Sequence, residues 1–169
     1  MQVQEIFREA QTDELTGLAN RRALRDTLDR ELARAGSATR PLSLLVVELD
    51  GFKAINDRLG HLEGDQVLKQ VADILRDCCR STDALARFGG DEFVAVLPQA
   101  SRDEALIVAK RIRAMVEGLR RPAGIGVSAS VGLATFPDDG LTVRELIAAA
   151  DLAVYRVKAR GGNSIGFAS

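Results

Sequence analysis

Asp83-Ala84-Leu85-Ala86-Arg87-Phe88-Gly89-Gly90-Asp91-Glu92-Phe93-Val94-Ala95-Val96-Leu97 is the stretch whose reading decides the fold. Two alternating apolar runs flank a pair of glycines, the pattern of a β-hairpin. Glycine can supply positive φ where the chain reverses, and it leaves no Cβ in the way of a ligand. Asp91 and Glu92 follow at once, so two carboxylates stand at the tip of a rigid scaffold. Adjacent acids repel unless a cation is near. Two readings of the turn stay open on this stretch alone. One is a solvated hairpin tip, where Asp and Gly are common; the other is one side of a cation site.

Upstream, Leu42-Ser-Leu-Leu-Val-Val-Glu48-Leu49 is a nearly continuous apolar run ending at Asp50-Gly51. It reads as a central strand buried on both faces. Its single acid, Glu48, needs a partner, a metal or an outlet to solvent. Helical spacing predicts helices after Asn20, with Leu24, Leu28, Leu32 and Ala35 as a stripe ended by Gly36, over Phe52–Leu59 closed by Gly60, and from Gly64-Asp65 through Cys78. His61 falls between two of these helices, with no second histidine to suggest a metal role. Downstream, Ser101 caps a helix with Asp103 and Glu104 in its first turn. Ile125–Phe136 alternates as a strand, Leu141–Arg160 is a last helix ended by Gly161-Gly162, and Ser164–Phe167 can add an edge strand.

The order β-α-α-β-β-α-β-α plus a terminal strand gives an α/β (α+β) domain, a mixed, mostly antiparallel sheet flanked by helices. A split βαβ layout sets the first strand beside the hairpin. Glu48 then meets Asp91 and Glu92 at one end of the sheet. Carboxylates from adjacent strands make a hard oxygen site suited to Mg²⁺ carrying phosphates, and so to phosphoryl or nucleotidyl transfer.

The 169 residues fit one domain with a formal net charge of -1, which gives no electrostatic case for nucleic acid or anionic membrane. No apolar run reaches a transmembrane length, so no membrane insertion by this domain is expected. Cys78 and Cys79 are adjacent, poorly placed for a bridge, and read as free thiols in a reducing, cytoplasmic setting. Residues 1–12, with Val3, Ile6, Phe7 and Ala10 at helical spacing, read as an N-terminal helix or a linker stub from an upstream regulatory domain. Residues 13–169 form the main domain.

Gly89-Gly90-Asp91-Glu92-Phe93 is similar to the signature of the GGDEF domain family, the diguanylate cyclases. The resemblance runs in order along nearly the whole chain. It includes Asp13-Glu14-Leu15-Thr16-Gly17-Leu18 with Asn20-Arg21-Arg22, and Asp50-Gly51-Phe52-Lys53-Ala54-Ile55-Asn56-Asp57 with Gly60-His61 and Gly64-Asp65. Ser130-Val131-Gly132 follows, and then Ala150-Asp151 with Ala153, Tyr155, Lys158, Gly161 and Asn163.

The resemblance implies a nucleotidyl-cyclase or palm-like fold with a ferredoxin-like core. It also implies condensation of two GTP into cyclic di-GMP and pyrophosphate across a homodimer, commonly behind an upstream sensory or receiver domain. Glu48, the carbonyl of Leu49 and Asp91 would hold Mg²⁺ (or Mn²⁺). Glu92 would assist the metal or deprotonate the attacking hydroxyl, and Arg87 would steady the hairpin and the transferred phosphate. Backbone around Gly51, Phe52 and Lys53, with Gly89, Gly90 and Lys158, would seat the nucleotide. Asn56 and Asp65 would bond the guanine edge. Arg80 and Asp83 match the RxxD inhibitory site for product, with Arg111 as a further contact. Two positions depart from the family pattern: Glu48 stands where Asp is usual, and Gly162 where a phosphate-contacting Arg is usual. The alternative these departures suggest is a catalytically impaired domain that binds cyclic di-GMP or GTP.

Overall fold

The computed structural model describes residues 2–168; Met1 of the 1–12 segment and Ser169 of the 13–169 domain lie outside the described residues. Helices α1 (Val3–Glu9) and α2 (Arg21–Ala38) precede β1 (Leu42–Asp50). The chain continues through α3 (Phe52–Leu59), α4 (His61–Cys78), β2 (Ala84–Arg87), β3 (Glu92–Pro98), α5 (Arg102–Glu117), β4 (Ser128–Phe136), α6 (Val143–Ala159) and β5 (Ile165–Phe167). The strands form one sheet in the order β2-β3-β1-β4-β5. β1 lies antiparallel to both β3 and β4, β2 antiparallel to β3, and β5 parallel to β4. The expected architecture is therefore present, with the apolar run 42–49 at its centre.

Alternation along β1 divides the core in two. Leu45, Val47 and Leu49 face α3, α4 and α5 through Ile55, Leu68, Leu75 and Ile112. Leu44 and Val46 face α2 and α6 through Leu24, Leu28, Ala150 and Val154. Glu48 and Asp50 continue this second row, so both acids emerge on the α6 side of the sheet. Gly132 on β4 sets how close α6 can come: a Cβ there would lie 2.1 Å from the Ala150 carbonyl oxygen. That close approach brings the last turn of α6, with Lys158, down over the end of β1.

Several element boundaries differ from expectation for local reasons. α2 runs past Gly36 to Ala38 and stops where Thr39 turns left-handed at φ 54°. α4 starts at His61 rather than Gly64, because Gly60 at φ 90° breaks the chain between the helices. His61 is thus its first residue. β4 starts at Ser128 rather than Ile125, because a 3₁₀ turn over Pro122–Gly124, with Ala123 at φ 51°, precedes it. α6 starts at Val143 rather than Leu141, with Thr142 accepting from the Glu145 N–H as its cap. The Asp13–Ala19 loop is stitched to β2 at Ala19, whose N–H donates to the Leu85 carbonyl and whose carbonyl accepts from Arg87 N–H.

Candidate active site

The end of β1 carries the charge. Glu48 sits directly across from Glu92 on β3 and from Ser130 on β4. Like charges opposite one another on antiparallel strands are destabilising without a counter-ion. Burial raises the Glu48 carboxyl; the Lys158 ammonium opposes this, while Asp91, Asp151 and Asp50 reinforce it. Glu92 is likewise raised, first by burial, then by Asp151 and Glu48, against the pull of Arg21. Asp151 is raised by burial with Arg21 opposing.

Asp50, two residues on, behaves in the opposite way. Its Oδ1 accepts from Ser130 Oγ at 2.7 Å and Lys158 Nζ at 3.1 Å. Its Oδ2 accepts from Ser128 Oγ at 2.7 Å and the Asn163 N–H at 2.9 Å. Burial alone would raise this carboxyl, but these bonds hold it below the usual range.

One cation serves both acids. Lys158 Nζ donates to the Leu49 carbonyl at 3.2 Å and lies 3.8 Å from Glu48 Oε1. An ammonium thus rests between the Leu49 carbonyl, the Asp50 carboxylate and the half-buried Glu48. The donors are all hard oxygens, and Lys158 stands in for the cation they call for, so the residues fit a divalent metal. Among the described residues no group of three or more His, Cys, Asp and Glu side chains is placed to hold a metal ion. A metal held by these oxygens would take further ligands from water or phosphates.

The hairpin closes with Phe88 N–H on the Glu92 carbonyl at 2.8 Å, and the Asp91 carbonyl accepts from Leu49 N–H at 3.1 Å. Arg87 folds over the turn: Nε reaches the Gly89 carbonyl at 3.1 Å and Nη2 the Gly90 carbonyl at 3.0 Å. Its Nη1 also pairs with Asp13 at 3.3 Å. The guanidinium is thereby engaged by the hairpin and the Asp13 loop. The expectation of positive φ at Gly89 and Gly90 is corrected, because the left-handed glycines lie elsewhere. A Cβ at either position would meet nothing within 4 Å. The fold places no demand for glycine there, so the open space above the turn is what the missing side chains preserve.

Gly51 caps α3 at φ 78°, which turns the first N–H groups of that helix outward beside the end of β1. Phe52 is buried, so only its backbone is presented, and Lys53 is exposed. Asn56 lies across Gly64: a Cβ on Gly64 would be 1.9 Å from Asn56 Oδ1. Asn56 is therefore seated beside the backbone leading to Asp65, and both side chains are half-buried.

A second group lies along the hairpin. Arg80 N–H donates to Asp83 Oδ2 at 2.7 Å, and Arg80 Nη2 donates to the Pro98 carbonyl at 3.2 Å. The Asp83 side chain is 2% exposed, and its Oδ1 has a 3.5 Å ion pair to Arg80. That oxygen makes no hydrogen bond among the described residues. Arg111 approaches from α5: the Cys79 thiol, pushed up to about 12 first by burial and then by Asp83, feels both Arg80 and Arg111. Ala84 pairs with Val96, four residues along β3 from Glu92. Asp83 and Arg80 precede Ala84, so along the strand direction this group lies beyond roughly 13 Å from Glu92.

Sequence reading passed over three residues the structure makes prominent. Asp50 joins β1, β4, α6 and the 161–163 loop. The period of two that pairs it with Glu48 was the available signal. Asp13 anchors Arg87 and holds its own loop through the Thr16 hydroxyl at 2.6 Å. Arg21 stacks over the Phe88 ring at 4.9 Å and offsets Glu92 and Asp151. The last two lie in the opening motif of the resemblance, which attaches no role to them.

Comparison with known proteins bears on the same residues. The profile described as "Diguanylate cyclase, GGDEF domain" matches residues 10–164. Diguanylate cyclase DosC of Escherichia coli (strain K12) is 41% identical over 175 residues, covering 96% of this chain and 37% of that protein. Response regulator PleD of Caulobacter vibrioides is 39% identical over 161 residues, covering 92% of this chain and 36% of that protein. The chain thus spans a little over a third of either relative. The crystal structure of the coiled coil and GGDEF domain of DgcB from Caulobacter crescentus, in complex with c-di-GMP, superposes with a TM-score of 0.88. Its identity is 31%, with 98% of this chain and 89% of that chain covered. By its profile, its relatives and a sheet that sets Glu48 against the hairpin acids, the chain belongs to the GGDEF domain family of diguanylate cyclases.

Proposed function

We propose that this domain condenses two molecules of GTP into cyclic di-GMP, with each of two domain copies holding one nucleotide. The observation that carries the reading is the direct opposition of Glu48 and Glu92, with the Lys158 ammonium 3.8 Å from Glu48. Opposed acids that are costly without a cation are explained by the cation-bound phosphates they would receive. In each of two equivalent steps, the 3′-hydroxyl oxygen of one nucleotide bonds to the α-phosphorus of the other. The bond from that phosphorus to the β-phosphate oxygen breaks, and pyrophosphate leaves. The hydroxyl proton passes to a base, for which Glu92, its carboxyl already raised, is suited.

Glu48, the Leu49 carbonyl and Asp91 would hold Mg²⁺ or Mn²⁺, which when bound neutralises charge on the reacting phosphates. Gly51 and Phe52 N–H groups and Lys158 would hold the terminal phosphates, with room left by Gly89 and Gly90. Asn56 and Asp65 would read guanine, whose edge offers two adjacent N–H donors to a carboxylate; adenine lacks that pair, so GTP is preferred to ATP. Arg80, Asp83 and Arg111 would bind product, with the exposed Arg80 guanidinium presented to it and Asp83 behind it.

GTP turnover measured against domain concentration tests the reading. A rate that rises faster than linearly, with cyclic di-GMP as product, is expected. Folded domain that binds GTP yet yields no product at high concentration overturns it in favour of a binding module. Glu48 and Gly162 motivate that second reading. A Glu48→Asp variant with greatly increased turnover would show that the longer side chain limits catalysis.

A further inference from the structure

The loop at 161–163 leaves the outer end of the phosphate region without a cation. Gly162, at φ 74°, packs so closely on Asp50 that a Cβ would lie 2.8 Å from the carboxylate carbon. No side chain extends from there. Apart from Lys53, exposed in the first turn of α3, the basic groups nearby are committed. Lys158 is held by Leu49 and Asp50. Arg113 Nη1 pairs with Glu117 and with Asn163 Oδ1 at 3.0 Å. Arg160 lines a separate cleft beside β5, with Arg156 and Phe167.

Beyond the end of β1 opens a cleft of about 320 Å³, lined by Asp50, Gly51, Arg121, Gly126, Ser128 and Asn163 among others. Gly51 begins the turn whose N–H groups face outward. The Gly126 carbonyl lies 3.1 Å from where a Cβ on Gly51 would be, and a Cβ on Gly126 would be 3.1 Å from Arg121 Nε. Arg121 therefore lies one backbone thickness from Gly51. Its guanidinium is exposed and makes no hydrogen bond or ion pair among the described residues. Glu117, which also lines the cleft, feels Arg121 but is paired with Arg113. The Asp50 oxygens that face the cleft are already taken by Ser128 and Asn163, so this carboxylate offers little competition for the guanidinium.

We infer that Arg121 is a substrate-binding residue that reaches across Gly126 to the terminal phosphates of the nucleotide, on the side opposite Lys158. A guanidinium fork suits two phosphate oxygens, and a free exposed arginine can swing to meet them. The inference rests on the nucleotide reading of the site. It separates ligands by phosphate count: a triphosphate or pyrophosphate reaches the cleft, whereas a monophosphate held by its base and first phosphate does not.

Calorimetry on the purified chain with Mg²⁺ and GTP (as its 3′-deoxy analogue, which cannot condense), GMP or pyrophosphate tests this, comparing the unsubstituted protein, Arg121→Ala and Arg121→Lys. Loss of one charge-assisted contact at an exposed site is expected to weaken GTP and pyrophosphate about tenfold in Arg121→Ala. GMP affinity should stay unchanged, with partial recovery in Arg121→Lys. Cyclic di-GMP affinity at Arg80 and Asp83 serves as the control for folding. Equal GTP affinity in Arg121→Ala and the unsubstituted protein overturns the inference and leaves the cyclase reading standing. Equal loss for GMP and GTP also overturns it, because the effect would not follow the terminal phosphates. No GTP binding by the unsubstituted protein overturns the nucleotide reading, and this inference with it.

Discussion

Glu48 and Asp50 stand two residues apart on one strand face, under one lysine, and their carboxyls shift in opposite directions. Both are pushed up by burial. Asp50 is answered by two hydroxyls, a backbone N–H and the ammonium. Glu48 is answered by the same ammonium at 3.8 Å and is crowded by further acids. A satisfied acid is a structural joint. An acid left short of partners, facing open space, carries a cost that a bound cation or a proton removes. The difference separates the scaffold of the site from its reactive part, although both stand at one strand end.

The sharpest way to break the comparison is Glu92→Gln. It removes one of the opposed charges and the candidate base. Cyclic di-GMP formation should fall by roughly a hundredfold or more. Metal-free thermal stability should nevertheless rise, by up to about 1 kcal/mol at neutral pH after allowing for solvent screening. Activity assay and melting of the same sample check both halves. A variant less stable than the parent would show that Glu92 is structurally satisfied.

Asp50→Ala should behave in reverse. It strips partners from Ser128, Ser130, Lys158 and Asn163 together, so denaturant unfolding should show a loss of about 2–3 kcal/mol. Activity should fall as well, because Lys158 and the 161–163 loop lose their anchor. Undiminished stability would mean that these donors find water at no cost.

The same contrast explains what could be read from the chain. The sheet was legible because 42–49 is continuously apolar and 84–97 alternates around a turn, and period two fixed which acids share a face. The pairing of Glu48 with Glu92 follows from that same period, whereas Asp91 lies in the turn before β3. Asp50 escaped notice because its importance lies in partners 78 to 113 residues away in sequence. The start of α4 was misplaced because Gly64 looks like a helix opener; in three dimensions it is a gap filled by Asn56. At Gly89 and Gly90 the turn chemistry suggested left-handed backbone, whereas empty space is what those residues keep.

Arg80→Ala extends the comparison to Asp83, a third acid, whose side chain is nearly inaccessible and whose Oδ1 lacks a hydrogen bond. Cyclic di-GMP affinity should weaken about tenfold, near 1.4 kcal/mol, with GTP affinity unchanged. Unchanged product affinity would exclude this pair from the product site.

The smallest effect is the most direct comparison of the two β1 acids, and it is read by pH. The native state holds protons on Glu48 and Glu92 more tightly than the unfolded chain does. Metal-free stability must therefore fall as pH rises from their ordinary value of 4.5 through their raised native values. Asp50 has the opposite sign. Its contribution is fully present above its ordinary value of 3.8 and is lost as pH falls through its lowered native value. The metal-free domain should be most stable in mildly acidic solution between these windows, with slopes worth a few tenths of a kcal/mol at half-exposed groups. Mg²⁺ favours the charged acids, so it should flatten the upper slope and leave the lower one unchanged. Glu48→Gln should flatten the upper slope without the metal. Melting curves from strongly acidic to neutral pH, spanning both windows, with and without Mg²⁺, decide the matter. Metal-free stability that climbs with pH across the upper window would mean that Lys158 satisfies Glu48 as fully as it does Asp50.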